Sequence, residues 1–185
     1  MPANDDFNGA TQDGVGRYHA NVYNGQRQGT SKAFITPIKH QANFSIETGV
    51  VVEKILFDGN RAIGVQASRN NKTLQFKANK ETIICAGAFN SPQLLLLSGI
   101  GDEKKLKPLG INVIKNLPGV GQNLQDHISL LMNYACSEPI TMNGPANNIF
   151  SQIKIALDYF LFKKGAGSHN MIEAGAFCYS KEGLE

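Results

Sequence analysis

The sequence predicts a mixed α/β fold, and three stretches carry that expectation. Residues 50–78 alternate β-branched runs with tight turns. Residues 82–101 read as strand, glycine turn, helix and glycine turn. Residues 149–162 place apolar side chains at helical spacing. The 185 residues are 42% hydrophobic and 18% charged, a globular balance with enough material for one domain or parts of two.

Residues 5–30 are rich in Gly, Asn and Gln, with turns expected at Asn8-Gly9, Asp13-Gly14 and Asn24-Gly25. The last would close a short hairpin between residues 18–23 and 26–28. Thr30 or Ser31 is expected to cap a brief helix that ends before Pro37. Residues 50–57, 62–68 and 74–78 read as three strands, separated by Asp58-Gly59 and Asn70-Asn71. The continuous apolar run at 82–85 suggests a strand buried on both faces. A three-strand meander feeding a buried strand is a common addition to dinucleotide-binding folds.

At the following turn, the small residues 86–88 let a ligand approach the backbone closely. Ser91 suits a helix cap and Pro92 the first helical position, where its missing N–H costs nothing. The free N–H groups and partial positive charge of that helix would face the carboxyl end of the strand, where α/β folds usually hold nucleotides. Residues 103–109 read as a further helical turn ended by Gly110, and 111–114 as a short strand. Past 129 the character shifts: a strand at 129–136, a loop at 139–145, then the helix at 149–162. Pro145 would open that helix, Lys163 and Lys164 fall in its last turn, and Gly165 ends it. A domain boundary is expected near 128, dividing the chain into 1–128 and 129–185.

Charge and cysteine usage exclude several classes. The formal net charge is +3 and no basic run exceeds two residues, so nucleic acid is not an expected partner. Cys85, Cys136 and Cys178 are odd in number, widely spaced and set in apolar text, which favours buried, reduced thiols. No pair has C-x-x-C spacing, so no metal site is expected. The polar, acidic start Met1-Pro2-Ala3-Asn4-Asp5-Asp6 does not read as a targeting segment. The helix at 149–162 is too short to span a bilayer and carries Lys154 and Asp158. The expected compartment is cytoplasmic, with association at a membrane surface left open.

The run Gly87-Ala88-Phe89-Asn90-Ser91-Pro92-Gln93-Leu94-Leu95-Leu96-Leu97-Ser98-Gly99-Ile100-Gly101 resembles the second signature of the glucose-methanol-choline (GMC) flavin oxidoreductases, with every defined position met. Residues 117–127 and Asp6-Phe7-Asn8-Gly9 are similar to further blocks of that family, in the same order. The likeness covers roughly residues 5–180. It implies that 1–128 is part of an FAD-binding domain with its meander, and 129–185 part of a substrate-binding domain.

The resemblance also implies sites. Ala86 and Gly87 would lie along the FAD with Ser91 beside them, and Val52 would offer backbone groups to the adenine. Asn123 and His127 would sit in a loop near the flavin. Each has a plainer role available: tight strand-helix packing for the glycine, a core valine, and structural support for the polar loop. Asp126-His127 invites a catalytic-relay or metal reading, but no second histidine or carboxylate completes a metal set and no serine sits on a nucleophile elbow. Residues 129–180 look like the choline-dehydrogenase branch, in which Glu173 would face a quaternary ammonium with help from Phe177 or Tyr179. The alternative for Glu173 is a surface carboxylate. His19, His40 and His169 carry no partner pattern.

The family's G-x-G-x-x-G turn has no match in residues 1–40: Gly14-Val15-Gly16-Arg17-Tyr18-His19 lacks the third glycine and a preceding apolar strand. The family's catalytic histidine, near the C-terminus, has no counterpart either. The chain therefore reads as the middle part of a longer enzyme, with no catalytic residue of its own. The reaction implied is oxidation of an alcohol, choline among the candidates, by hydride transfer to flavin, with the electron acceptor left open. Two other readings stand beside it: a same-fold lyase acting on cyanohydrins, and a non-catalytic remnant or interaction module.

Overall fold

The computed structural model describes residues 1–138, 148–168 and 172–181. In chain order the elements are β1 (Gly14–Arg17), β2 (Val22–Tyr23), β3 (Gln26–Arg27), α1 (Thr36–Ile38), β4 (Val51–Asp58), β5 (Arg61–Arg69), β6 (Lys72–Lys77), α2 (Gly87–Leu97), β7 (Ile100–Gly101), α3 (Glu103–Leu106), β8 (Lys115–Asn116), α4 (Ile149–Phe162) and β9 (Ala174–Phe177). They fall into two compact units: Met1–Ser45 with the described part of Met132–Glu185, and Ile46–Leu131.

The second unit is built on an antiparallel meander in the order β4-β5-β6. Its turns follow the expected chemistry. Gly59 has φ 58°, and Asn70 and Asn71 have φ 51° and 59°, the left-handed region that Gly and Asn tolerate. Val52 pairs with Ala67 and Lys54 with Gln66, so Glu53 is the extra residue of a β-bulge in β4. The Gln66 amide donates to Glu53 Oε2 at 3.0 Å and braces that bulge. Bonding from Gln66, then Ser68, holds the Glu53 carboxyl below its usual range. Ile55 and Ala67 supply the buried side chains of the meander.

Beyond α2, β7 and β8 make a short parallel pair, Ile100 opposite Lys115 and Gly101 opposite Asn116. The strand thus lies just past the expected 111–114, because Gly99 and Gly101 carbonyls accept from Ile114, Lys115 and Leu117. Asp102 caps α3 by accepting the Lys104 N–H at 3.0 Å, and Leu106 plugs the turn at 2% exposure. Gly110 ends the following 3₁₀ turn with φ 72°.

The first unit pairs β1 with β9 and closes β2 and β3 through Asn24-Gly25, both in the left-handed region. Phe7 is its buried plug, 6% exposed. Its ring lies 5.5 Å from Tyr18 and 5.1 Å from Phe177. The helix expected to stop before Pro37 instead runs on: a π-helical turn at Ser31–Ile35 passes into the short α1 despite Pro37, which has no N–H to donate back to the preceding turn. Asn148 caps α4, accepting from Phe150 N–H at 2.9 Å, and Lys163 ends it in the left-handed conformation. Pro145, the expected opener, lies outside the described residues. Helix α4 rests on Ser151, Ile155, Asp158 and Tyr159, while Phe150, Phe160 and their neighbours face outward.

Two expected strands do not form. Residues 82–85 make no ladder and Ile83 is 74% exposed. A strand meant to be buried on both faces needs a neighbouring strand to pair with, and no described residue provides one. Residues 129–136 are likewise exposed and unpaired in any sheet. The same segments hold Cys85 and Cys136, and Cys178 follows the end of β9, so all three thiols are exposed rather than buried. No helix among the described residues is long and apolar enough to cross a membrane.

Candidate functional site

Helix α2 begins at Gly87, five residues before the start expected from Ser91 as cap and Pro92 as first helical residue. The physical reason is the backbone at Gly87: its φ of 85° makes the turn, so the chain enters the helix at once. Pro92 then sits inside the helix and deprives the Ala88 carbonyl of its helical donor. Ser91 does not cap the end from outside. Its Oγ accepts the Ala86 N–H at 3.1 Å and closes the first turn from within. The amides of Gly87, Ala88 and Phe89 have no intrahelical acceptor, the arrangement that favours an anion.

The two halves of this segment do different work. At Gly87 an added Cβ would meet nothing within 4 Å, so the space beside its backbone is open. At Gly99 an added Cβ would lie 2.2 Å from the Asn112 carbonyl oxygen, and at Gly101 it would lie 2.4 Å from Leu96 Cδ2. Those two glycines are closed in by the fold. Just before them stands Ser98, 7% exposed, whose Oγ accepts the Ile55 N–H at 2.8 Å and bonds the Leu94 carbonyl. One buried hydroxyl thus ties the end of α2 to β4, three residues along from Val52. The sequence reading passed over Ser98; its only signal was a lone polar residue between an apolar run and two glycines.

The loop at 117–125 lies on α2. An added Cβ at Gly121 would touch Leu96 Cδ1 at 3.5 Å and Pro92 Cβ at 3.8 Å. Gly121 and Asn123 both take positive φ, and the turn is closed by Val120 and Gln122 amides on Leu117 and Gly119 carbonyls. Helix and loop enclose an open groove of about 750 Å³ lined by Ala88, Phe89, Pro92, Leu96 and residues 121–125. Asn123 therefore lines the groove next to the start of α2. Asp126 and His127 do not form a knot with it: the Asp126 carboxylate accepts the His127 backbone N–H at 2.8 Å, and both side chains are exposed. Val52 is half open on β4 at 42% exposure, its peptide displaced by the adjacent bulge.

In the other unit, Glu173 directly precedes β9, and its carbonyl accepts the Tyr18 N–H at 2.9 Å. The exposed His19 Nδ1 lies 3.6 Å from an Asp6 carboxylate oxygen. His40 is exposed, and His169 lies outside the described residues. Among the described residues no group of three His, Cys, Asp or Glu side chains could hold a metal.

Comparison with known proteins gives a consistent result. The family model described as GMC oxidoreductase matches residues 1–129. The oxygen-dependent choline dehydrogenase of Brucella ovis is 39% identical over 181 residues, 98% of this chain and 33% of that protein. The Vibrio vulnificus protein of the same description is 41% identical over 184 residues, 100% of this chain and 33% of that protein. Among solved structures, an FAD-dependent oxidoreductase from Chaetomium thermophilum is similar with TM-score 0.76 and 29% identity, covering 87% of this chain and 29% of that one. Formate oxidase of Aspergillus oryzae is similar with TM-score 0.80 and 26% identity, covering 94% and 30%. The chain spans about a third of the length of the curated relatives it matches.

Proposed function

We propose, from the premise that this chain belongs to the GMC oxidoreductase family, that the protein carrying it is an FAD-dependent dehydrogenase of choline or a similar amino alcohol. Residues 1–128 would contribute to its FAD-binding domain and 129–185 to its substrate-binding domain. The observation that carries the reading is the open cradle at Gly87, where a positive φ, unsatisfied helix amides and empty space beside the backbone coincide.

The residues present fit FAD. The Gly87 backbone leaves room for a bulky ligand, and the start of α2 offers N–H groups to a negative one. Ala86 and Gly87 would hold the cofactor, and Ser91 would orient the Ala86 peptide through the bond it already makes. Val52 would meet the adenine through its backbone, with Asn123 and His127 bordering the flavin side. Bound there, FAD supplies the hydride acceptor. Glu173 would hold the cationic end of the substrate. No residue of this chain is assigned as the base that takes the hydroxyl proton. A cytoplasmic site of action is part of the same proposal.

The test is anaerobic mixing of the purified flavoprotein with choline. Loss of the oxidised-flavin absorbance is expected. Persistent oxidised flavin together with cleavage of a cyanohydrin would replace the proposal with a lyase.

A further inference from the structure

On the proposal that Glu173 faces a quaternary ammonium, we infer that Tyr18 is the aromatic wall of that ammonium site. The register of β1 and β9 carries the argument. Gly14 pairs with Phe177, Val15 with Ala176, Gly16 with Gly175 and Arg17 with Ala174. The Tyr18 N–H on the Glu173 carbonyl at 2.9 Å extends this ladder by one pair. Side chains alternate between faces of a ribbon. Tyr18 and Glu173 therefore stand directly opposite each other on one face, with Cβ atoms about 5 Å apart.

The other aromatic candidates fall away on the same geometry. Phe177 is four residues from Glu173 along the strand, about 13 Å at the rise of an extended chain. One ammonium group does not reach both. Tyr179 lies past the end of β9, where no ladder fixes its side. Tyr18 is held in place from three directions. Its amide is tied to Glu173, its ring meets Phe7 at 5.5 Å, and it lies so close over Gly175 that a Cβ there would sit 2.0 Å from its hydroxyl. It still keeps 36% of its surface open. A fixed, partly open ring on the ladder position paired with a glutamate offers the two groups that recognise a methylated ammonium, an anion and a π system.

This assignment gives Gly175 a purpose, since any side chain there would displace the ring. It also gives Phe7 one: the buried phenylalanine of the Asp6-Phe7-Asn8-Gly9 turn backs the wall.

The test compares kcat/KM for choline and its neutral isostere 3,3-dimethylbutan-1-ol in single variants of the flavin-loaded enzyme at Tyr18 and Glu173. Flavin content and near-UV circular dichroism check folding. Tyr18→Phe should leave the choline-to-isostere ratio within about twofold. Tyr18→Met, which keeps apolar bulk without a π face, should lower it roughly 2- to 30-fold, through KM. Calorimetric binding of tetramethylammonium should weaken in parallel. If Tyr18→Met behaves as Tyr18→Phe while Glu173→Gln lowers the ratio, Tyr18 is not the wall and the Glu173 reading stands. If Glu173→Gln leaves the ratio unchanged, the Glu173 reading itself has failed and takes this inference with it. Should Tyr18→Met lose its flavin, Tyr18→Trp against Tyr18→Phe decides: a ratio higher for Trp supports the wall, and a flat or reversed order overturns it.

Discussion

Replacing Gly87 with valine tests whether the open space beside α2 is a ligand's space, because the chain contains a matched control. Gly87 and Gly110 both sit in the left-handed region, at φ 85° and 72°, and an added Cβ at either meets nothing within 4 Å. A side chain at either position therefore incurs the same kind of backbone strain, about 1–2 kcal/mol, and no clash at its Cβ. The two variants differ only in what the side chain points toward. If FAD occupies the Gly87 space, Gly87→Val adds an overpacking cost of about 1–3 kcal/mol to the complex. That corresponds to a roughly 5- to 150-fold weaker affinity for FAD. Gly110→Val should bind FAD as the parent does. The assay is titration of the apoprotein of the full enzyme with FAD, followed by flavin fluorescence, with thermal unfolding to confirm that both variants lose similar stability. Equal affinities in the two variants, or equal losses, would show that the cradle at Gly87 holds no cofactor.

Four further outcomes follow from the same structure. Ser98→Ala leaves the buried Ile55 amide without its acceptor and should destabilise the second unit by about 1–3 kcal/mol; exchange of the Ile55 amide, read by mass spectrometry, should speed up at least about fivefold, and unchanged protection would refute the tie. Glu173→Gln should reduce preference for choline over its neutral isostere about ten- to a hundredfold, for a lost ion contact of about 1–3 kcal/mol; steady-state kinetics decides. The Glu53 carboxyl is held below its ordinary value, so its contribution to the bulge is present above the unfolded value near about 4.3 and disappears as pH falls through the lower folded value; Glu53→Gln should flatten that acid limb of a pH-resolved unfolding series. The 185-residue chain by itself, with no assigned base, should oxidise no alcohol when FAD and choline are added; turnover in that mixture would show that the chain contains a base not identified among its residues.

The parts of the fold that sequence disclosed are those whose forces are local. The meander was readable because β-branched runs and Asn-Asn or Gly turns settle a hairpin within a dozen residues. Helix α4 was readable because its apolar spacing is internal to it, and its bounds match the expectation. Residues 82–85 and 129–136 were misread for the opposite reason: their apolar text implies burial, but burial depends on partners that the text does not contain. The start of α2 was misplaced because Ser91 and Pro92 are strong local signals that Gly87 overrides by turning the chain earlier. Of the candidate site, Ala86, Gly87 and Asn123 stood out through the resemblance. Ser98 and Tyr18 did not, since what matters in each is a long-range partner, Ile55 or Glu173, invisible at the level of spacing.

The contrast between Gly87 and the pair Gly99 and Gly101 bears on how such a chain drifts through evolution. A substitution at 99 or 101 collides with Asn112 or Leu96 and is rejected by folding alone, with or without a ligand. A substitution at 87 carries a modest conformational cost and is opposed chiefly by whatever the open space must hold. A descendant that abandoned its flavin would therefore keep the Ser-Gly-Ile-Gly half of this segment intact and let the Ala-Gly-Ala half wander. Family searches that match the whole segment weigh both halves alike, although one half reports ancestry and the other occupancy. For any related chain of uncertain chemistry, the residues aligned with 86–88 should be read separately from the rest.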